Sequence, residues 1–423
     1  MNVDQFRKAI NLGLGRVILY LRNHLWKPHA QAIEHVCLHN TAYDPQCEGS
    51  RAEYVYEIVR LTYNPQHFAD IVVAGLLQSH AHWDTDHLFD LAGLFAKNGF
   101  TGVREAMYEK FRQDNAAERF IGAEQIVSLD GNSGLLFVVD RIGKSLEANP
   151  DYWVDDALIH EYSDGTGKGA EKVVREAAIT NPNIRRYVES VDKWRVPQAR
   201  ETPDYRSFSY AELRKRILDK NGDVPRMWVS GWGKNASDDA LREAAQDLLK
   251  EHNEKLLLAY LHIFHFSPFP LNPHRLIELA KTNDEDIARA SRRALRHIRD
   301  DSVRTLGLEL IDQNETVSDG VRLLVKNYAD NDHLLIESLL AKQSNEDDFH
   351  WSAHAAIDVF KTNPTAQALS SMLEIYERCR CSLCRKGLVK LLMERRNIPA
   401  WMLAECLRDS YDETRKVANE YIP

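Results

Sequence analysis

The sequence predicts an all-α protein, an α-α superhelix (solenoid) of paired helices with a loop-rich central insertion. Three observations carry that prediction. Short amphipathic segments follow one another with no convincing run of alternating β-branched residues between them. The pairs are separated by compact polar breaks such as Asp130-Gly131-Asn132 and Asp300-Asp301-Ser302. Two of them, Glu118 to Ile142 and Asp284 to Gln313, align with no gap larger than a turn. A helix pair that cannot bury its apolar faces alone must stack on neighbours.

Residues 1–65 read as an N-terminal helical cap, with helices in Asp4 to Arg22, Gln31 to Leu38 and Arg51 to Leu61. Residues 66–148 begin the repeats with Phe68 to Leu77, Leu88 to Ala96 and Val103 to Phe111. The next pair has Phe120, Ala123, Ile126 and Val127 on one helix and Leu135, Leu136, Val138, Val139 and Ile142 on the other. Residues 149–236 are expected to be a loop-rich insertion with short helices, because they hold five of the fourteen prolines and the clusters Asp164-Gly165-Thr166-Gly167 and Ser230-Gly231-Trp232-Gly233. Helix signals survive there in Ala170 to Ala178, Ile184 to Val191 and Tyr210 to Leu218. Residues 237–423 resume the repeats and end in a C-terminal cap. Their clearest pair puts Ile287, Ala288, Ala290, Ala294, Leu295 and Ile298 on one helix, then Val303, Leu306, Leu308, Leu310 and Ile311 on the next.

Composition narrows the classes. At 44% hydrophobic residues the 423-residue chain can bury a full core, which excludes a disordered protein. The 63 acidic residues exceed the 54 basic ones, giving a formal net charge of -9, opposite in sign to the charge a dedicated nucleic-acid binder usually carries. The uncharged run Leu256 to Pro273 is broken by Pro268, Pro270 and Pro273, so no membrane span is expected. The N-terminus lacks a basic cluster and a small-residue cleavage site, and six cysteines do not resemble a secreted disulfide framework. A cytoplasmic protein is the expectation.

The units at Glu118 to Ile142, Asp284 to Gln313 and Trp351 to Tyr376 resemble HEAT-type repeats, including the HEAT-like repeats of the phycobilin lyase type. The run from Glu377 to Arg385, with Cys379, Cys381 and Cys384, then Ile398-Pro399 and Glu405-Cys406, is similar to the ending of a family of bacterial HEAT-repeat proteins of no established activity. The resemblance implies an armadillo-like helical scaffold and carries over no catalytic residue.

Four constellations stand out. Arg289, Arg292, Arg293, Arg296 and Arg299 recur at three- and four-residue steps, so they form one basic stripe, with Arg304 just beyond. Such a stripe suits an acidic protein partner or a phosphodiester backbone, and equally a solvated face neutralised by Glu285, Asp300 and Asp301. Trp228 and Trp232 read as an aromatic group of the insertion, either an interface anchor or a clamp of the loop onto its own domain. Cys379, Cys381, Cys384 and Cys406 have the ligand types and number of a structural zinc site, or are small apolar residues of a helix interface; no other cofactor is expected. His80, His82, Asp84 and Asp86 offer a metal-dependent hydrolase reading, against which stands an ordinary inter-helix turn with a capping aspartate. The Gly165 to Gly169 run lacks the spacing of a phosphate loop. The leading expectation is a non-catalytic scaffold or adaptor that binds a protein partner on its concave face; the alternative is a nucleic-acid-binding solenoid using the Arg289 to Arg304 stripe.

Overall fold

The computed structural model describes residues 1–113, 120–166, 169–195, 204–313 and 316–421. These form 27 α helices and, among the described residues, no strand. Gly167 and Lys168 of the glycine-rich run lie outside them. The chain divides into two compact units, residues 1–199 with 380–423, and residues 200–379.

Unit 1 begins with α1 (Val3–Leu12), α2 (Arg16–Leu21), α3 (Ala30–Leu38), α4 (Pro45–Glu48) and α5 (Ala52–Arg60). It continues with α6 (Pro65–Gln78), α7 (His82–Lys97), α8 (Val103–Gln113), α9 (Ala123–Asp130) and α10 (Asn132–Ala148). Next come α11 (Ala157–Thr166), α12 (Ala170–Ala178) and α13 (Pro182–Arg195). The ends are set locally. Asn2 and Gln5 form a capping box at the start of α1, and Gly13 closes it in the left-handed conformation. Alternate helices pack as neighbours: α3 on α5, α5 on α7, α7 on α9, with α6 on α8 behind them.

Unit 2 contains α14 (Tyr210–Asp219), α15 (Arg226–Asn235), α16 (Asp238–Lys250), α17 (Glu254–Ile263), α18 (His274–Leu279) and α19 (Glu285–Leu295). It ends with α20 (Asp301–Asp312), α21 (Val317–Leu323), α22 (Asp332–Lys342), α23 (Glu346–Thr362) and α24 (Leu369–Arg378). The predicted pair is present. Asp284 caps α19 through the amides of Asp286 and Ile287, and Asp300 caps α20 through that of Ser302. The packing forms two layers. One is the row α15, α17, α19, α21, α23, each helix on the next; the other has α14 on α16, α18 on α20 and α22 on α24. The core between them is aliphatic and aromatic, from Leu213 and Trp232 through Tyr260 and Phe264 to Leu295, Leu306 and Leu323. Its closeness is set in part by glycine: a Cβ on Gly233 of α15 would lie 2.0 Å from the carbonyl oxygen of Ile263 in α17.

The chain then returns to unit 1 with α25 (Ser382–Glu394), α26 (Ala400–Cys406) and α27 (Asp412–Glu420). Here α26 packs on α2, and Glu405 accepts from Arg16 at 2.9 Å. Arg385 is 0% exposed and paired with Asp409, Nε to Oδ2 and Nη2 to Oδ1 both at 3.2 Å. Arg51, also buried, donates to the Asn11 and Arg380 carbonyls, to Thr41 and Ser382 Oγ and to Glu48. Thus residues 380–423 complete the unit begun by residues 1–199. The stretch expected as an insertion, residues 149–236, carries α11 to α15, and the division between units falls within it.

Candidate functional site

The basic stripe lies in unit 2, on the row α15, α17, α19, α21, α23, and its arginines meet separate fates. Arg289 is exposed and pairs with Glu285 one turn earlier at 3.2 Å. Arg292 is buried, its Nε donating to the Ala280 carbonyl and Nη1 lying 3.5 Å from both Glu285 and Asp319. Arg304 is held by a bidentate pair with Asp332 at 2.7 and 2.8 Å and by the Asn327 carbonyl, so it serves the packing of α20 against the start of α22.

Arg293 and Arg296 do something different. Arg296 Nη2 donates to Asp319 Oδ1 at 3.1 Å, while its Nε is buried with no hydrogen-bond partner among the described residues. Arg322, from α21, reaches the same carboxylate at 3.9 Å, and Arg226, from the start of α15, faces His265 Nδ1 at 3.5 Å. Arg293 stands among them. Burial, then the Arg226 charge, lowers its proton affinity, with Asp319 only partly offsetting them. Burial and then Arg322 bring Arg296 down to about 10. Arg292, Arg296 and Arg322 therefore lie 3.5, 3.1 and 3.9 Å from one carboxylate, the charges of Arg226 and Arg293 act on the same cluster, and the mutual repulsion is incompletely relieved.

The same field acts on the end of α17 and the residues just after it. His262 and His265 are both pushed down to about 4, first by burial and then by Arg226 and Arg293. Beside the arginines lie exposed apolar groups: Trp351 of α23, 51% exposed with the Arg322 guanidinium 5.8 Å from its ring, and Phe266, 48% exposed. Arg226, Arg322 and Trp351 were not evident as site residues in the sequence. They lie 67, 29 and 58 residues from Arg293, and only the pairing of alternate helices brings them beside it.

The two tryptophans are elsewhere. Trp232 is 2% exposed, with its indole N–H donating to the Phe208 carbonyl at 2.8 Å, and Trp228 packs on Tyr205 with ring centroids 4.3 Å apart. Both pack α15 onto its own unit, Trp232 buried and Trp228 partly buried. Cys379, Cys381, Cys384 and Cys406 are all buried. Cys379 closes unit 2; the other three belong to unit 1, where their sulfurs do not all lie within 4.8 Å of one another. Cys381 and Cys384 are among the buried residues whose ligand atoms lie close enough together to hold a metal ion, so burial is compatible with both the zinc and the apolar interface readings.

Nor do the histidines and aspartates after α6 gather ligands. Asp84 accepts from the Asn40 amide at 2.9 Å and lies 2.9 Å from His39 Nδ1, while His80 is exposed on the turn. Among the described residues, no three groups of the run His80, His82, Asp84, Asp86 and His87 bring ligand atoms within 4.8 Å of one another.

Compared with known proteins, the chain matches no family model, no curated protein and no solved structure.

Proposed function

We propose that the chain is a non-catalytic, cytoplasmic binding scaffold built from HEAT-like stacks of paired helices, and that unit 2 takes an acidic segment of a protein partner on the row α15 to α23. One observation carries this reading: Arg292, Arg296 and Arg322 share a single carboxylate, Asp319, and the charges of Arg226 and Arg293 add to the same cluster. Arginines crowded in this way are stabilised by an incoming carboxylate, since a hydrogen bond to a charged group contributes about 1.5–3 kcal/mol. Extended partners suit a row of parallel helix faces. The absence of helices long and apolar enough to cross a membrane, among the described residues, is consistent with such a role.

A polyglutamate chain is the direct probe. Binding should weaken steeply between about 50 and 200 mM salt. Arg293→Glu with Arg322→Glu should reduce it at least about tenfold, a loss of about 1.4 kcal/mol. Affinity indifferent to both salt and charge reversal would sink the proposal. A second reading is favoured by Trp351, whose exposed ring beside Arg322 is the arrangement that stacks bases. If a single-stranded oligonucleotide binds more tightly than polyglutamate, and Trp351→Ala removes that preference, the partner is a nucleic acid.

A further inference from the structure

Unit 1 contains a cavity of about 650 Å³, remote in sequence from the arginines of unit 2 and made by different chemistry. Its wall comes from α7, the start of α9, the segment joining α10 to α11, and α13. His82 and Asp86 stand four residues apart on α7, so both side chains face the same way. Phe120 enters with φ 52° and Gly122 follows with φ 91°, where a Cβ would lie 2.4 Å from the Phe89 ring. This tight turn delivers Phe120 to the wall, where it meets Tyr152 edge-to-face at 5.9 Å. Trp153, 57% exposed, and Tyr187, buried, supply two further rings.

The described wall carries three carboxylates and, beside Asp86, the imidazole of His82. Asp86, Glu124 and Asp155 contribute carboxylates, and the described lining has no lysine or arginine. Asp86 is the telling member. Its neighbours are engaged, Asp84 by the Asn40 amide and Asp90 by Gln125 Nε2 at 2.6 Å. Asp86 is half-buried and accepts no hydrogen bond and makes no ion pair among the described residues. Burial, and next the charge of Asp90, raise its carboxyl above the usual range, with His82 offsetting them in part. A carboxylate withdrawn from water without a donor is costly unless something cationic joins it.

We propose that this cavity binds a small organic cation, an alkylated or quaternary ammonium group, with Asp86 as its counter-charge and the Phe120, Tyr152 and Trp153 rings as its walls. Aromatic faces attract such cations through the ring quadrupole, and the volume is that of a small-molecule site. A bare metal ion fits poorly: the cavity is far larger than one ion, and its ligand atoms do not converge in threes. An anion would meet three carboxylates.

Choline is the probe, titrated into the full-length chain by calorimetry, with 3,3-dimethylbutan-1-ol as the uncharged analogue of the same shape. The expected result is one site per chain for choline and at least about tenfold weaker binding of the alcohol. Asp86→Asn should cost about tenfold and Trp153→Ala a similar factor, while Arg322→Glu in unit 2 leaves choline binding unchanged. Far-UV circular dichroism checks each variant, and Trp153→Ala stands as the second test if Asp86→Asn does not fold. Equal binding of choline and the alcohol, retention of affinity by either folded variant, or no choline binding up to about 10 mM would overturn the proposal.

Discussion

A side chain's sequence says little about its use until its neighbours are known. Arg292, Arg293 and Arg296 belong to one helical stripe, yet one is spent on the Ala280 carbonyl, one meets mainly other guanidiniums, and one shares Asp319. The histidines at the end of α17 and just beyond it record that environment. In the folded chain His262 and His265 titrate near about 4, because burial and the Arg226 and Arg293 charges oppose protonation. An unfolded imidazole titrates near about 6.5. Between those values the unfolded state binds more protons, so stability falls as pH drops from about 6.5 and levels off below about 4. We expect the urea midpoint to decline across that window, and His262→Gln with His265→Gln to flatten the decline; identical slopes would mean that other groups set the acid sensitivity. The stripe and its periodicity were legible in the sequence. Arg226, Arg322 and Trp351 were not, since their proximity depends on which helices become neighbours.

At the scale of elements, the reading succeeded where a cap and an apolar stripe coincide, as at Asp284 with Ile287, Ala290 and Ala294. It failed where glycine serves packing. The Ser230-Gly231-Trp232-Gly233 run looks like a loop, yet it lies inside α15, because Gly233 lets that helix approach the Ile263 carbonyl. The α20 and α21 pair shows the same device. A Cβ on Gly320 would meet the Gly307 carbonyl oxygen at 2.5 Å and Ile311 Cγ1 at 2.8 Å. Alanine gains up to about 1 kcal/mol of helix propensity over glycine. Overpacking a close interface costs about 1–3 kcal/mol. Gly320→Ala should therefore destabilise, whereas Gly387→Ala in α25, exposed and with nothing near its Cβ position, should stabilise. Chemical denaturation of the two variants measures both signs, and a stabilised Gly320→Ala would show that α20 and α21 have room to shift apart.

For the molecule as a whole, the most consequential feature is a contact order that no local pattern announces. A helical array read along the chain suggests that the last helices cap the ones just before them. Instead residues 380–423 join residues 1–199, and buried polar groups, Arg51 and Glu405 among them, take part in the junction. Arg51 loses Ser382 and the Arg380 carbonyl if that segment is removed, Arg16 loses Glu405, and the face of α2 that α26 covers is opened. Unit 1 is thus discontinuous in sequence, while unit 2 is one uninterrupted stretch. We expect a fragment of residues 200–379 to unfold cooperatively in urea by itself, and residues 1–199 to do so only with residues 380–423 supplied alongside. In the full chain, Arg385→Met should act in the same direction, because it strands the Asp409 carboxylate at 0% side-chain exposure. Breaking a buried ion pair from one side costs about 3–5 kcal/mol. A cooperative transition of residues 1–199 alone, unchanged on adding residues 380–423, would mean that the returning helices decorate unit 1 without completing its core. Loss of the transition, restored on mixing, would establish that folding of unit 1 waits for the end of the chain.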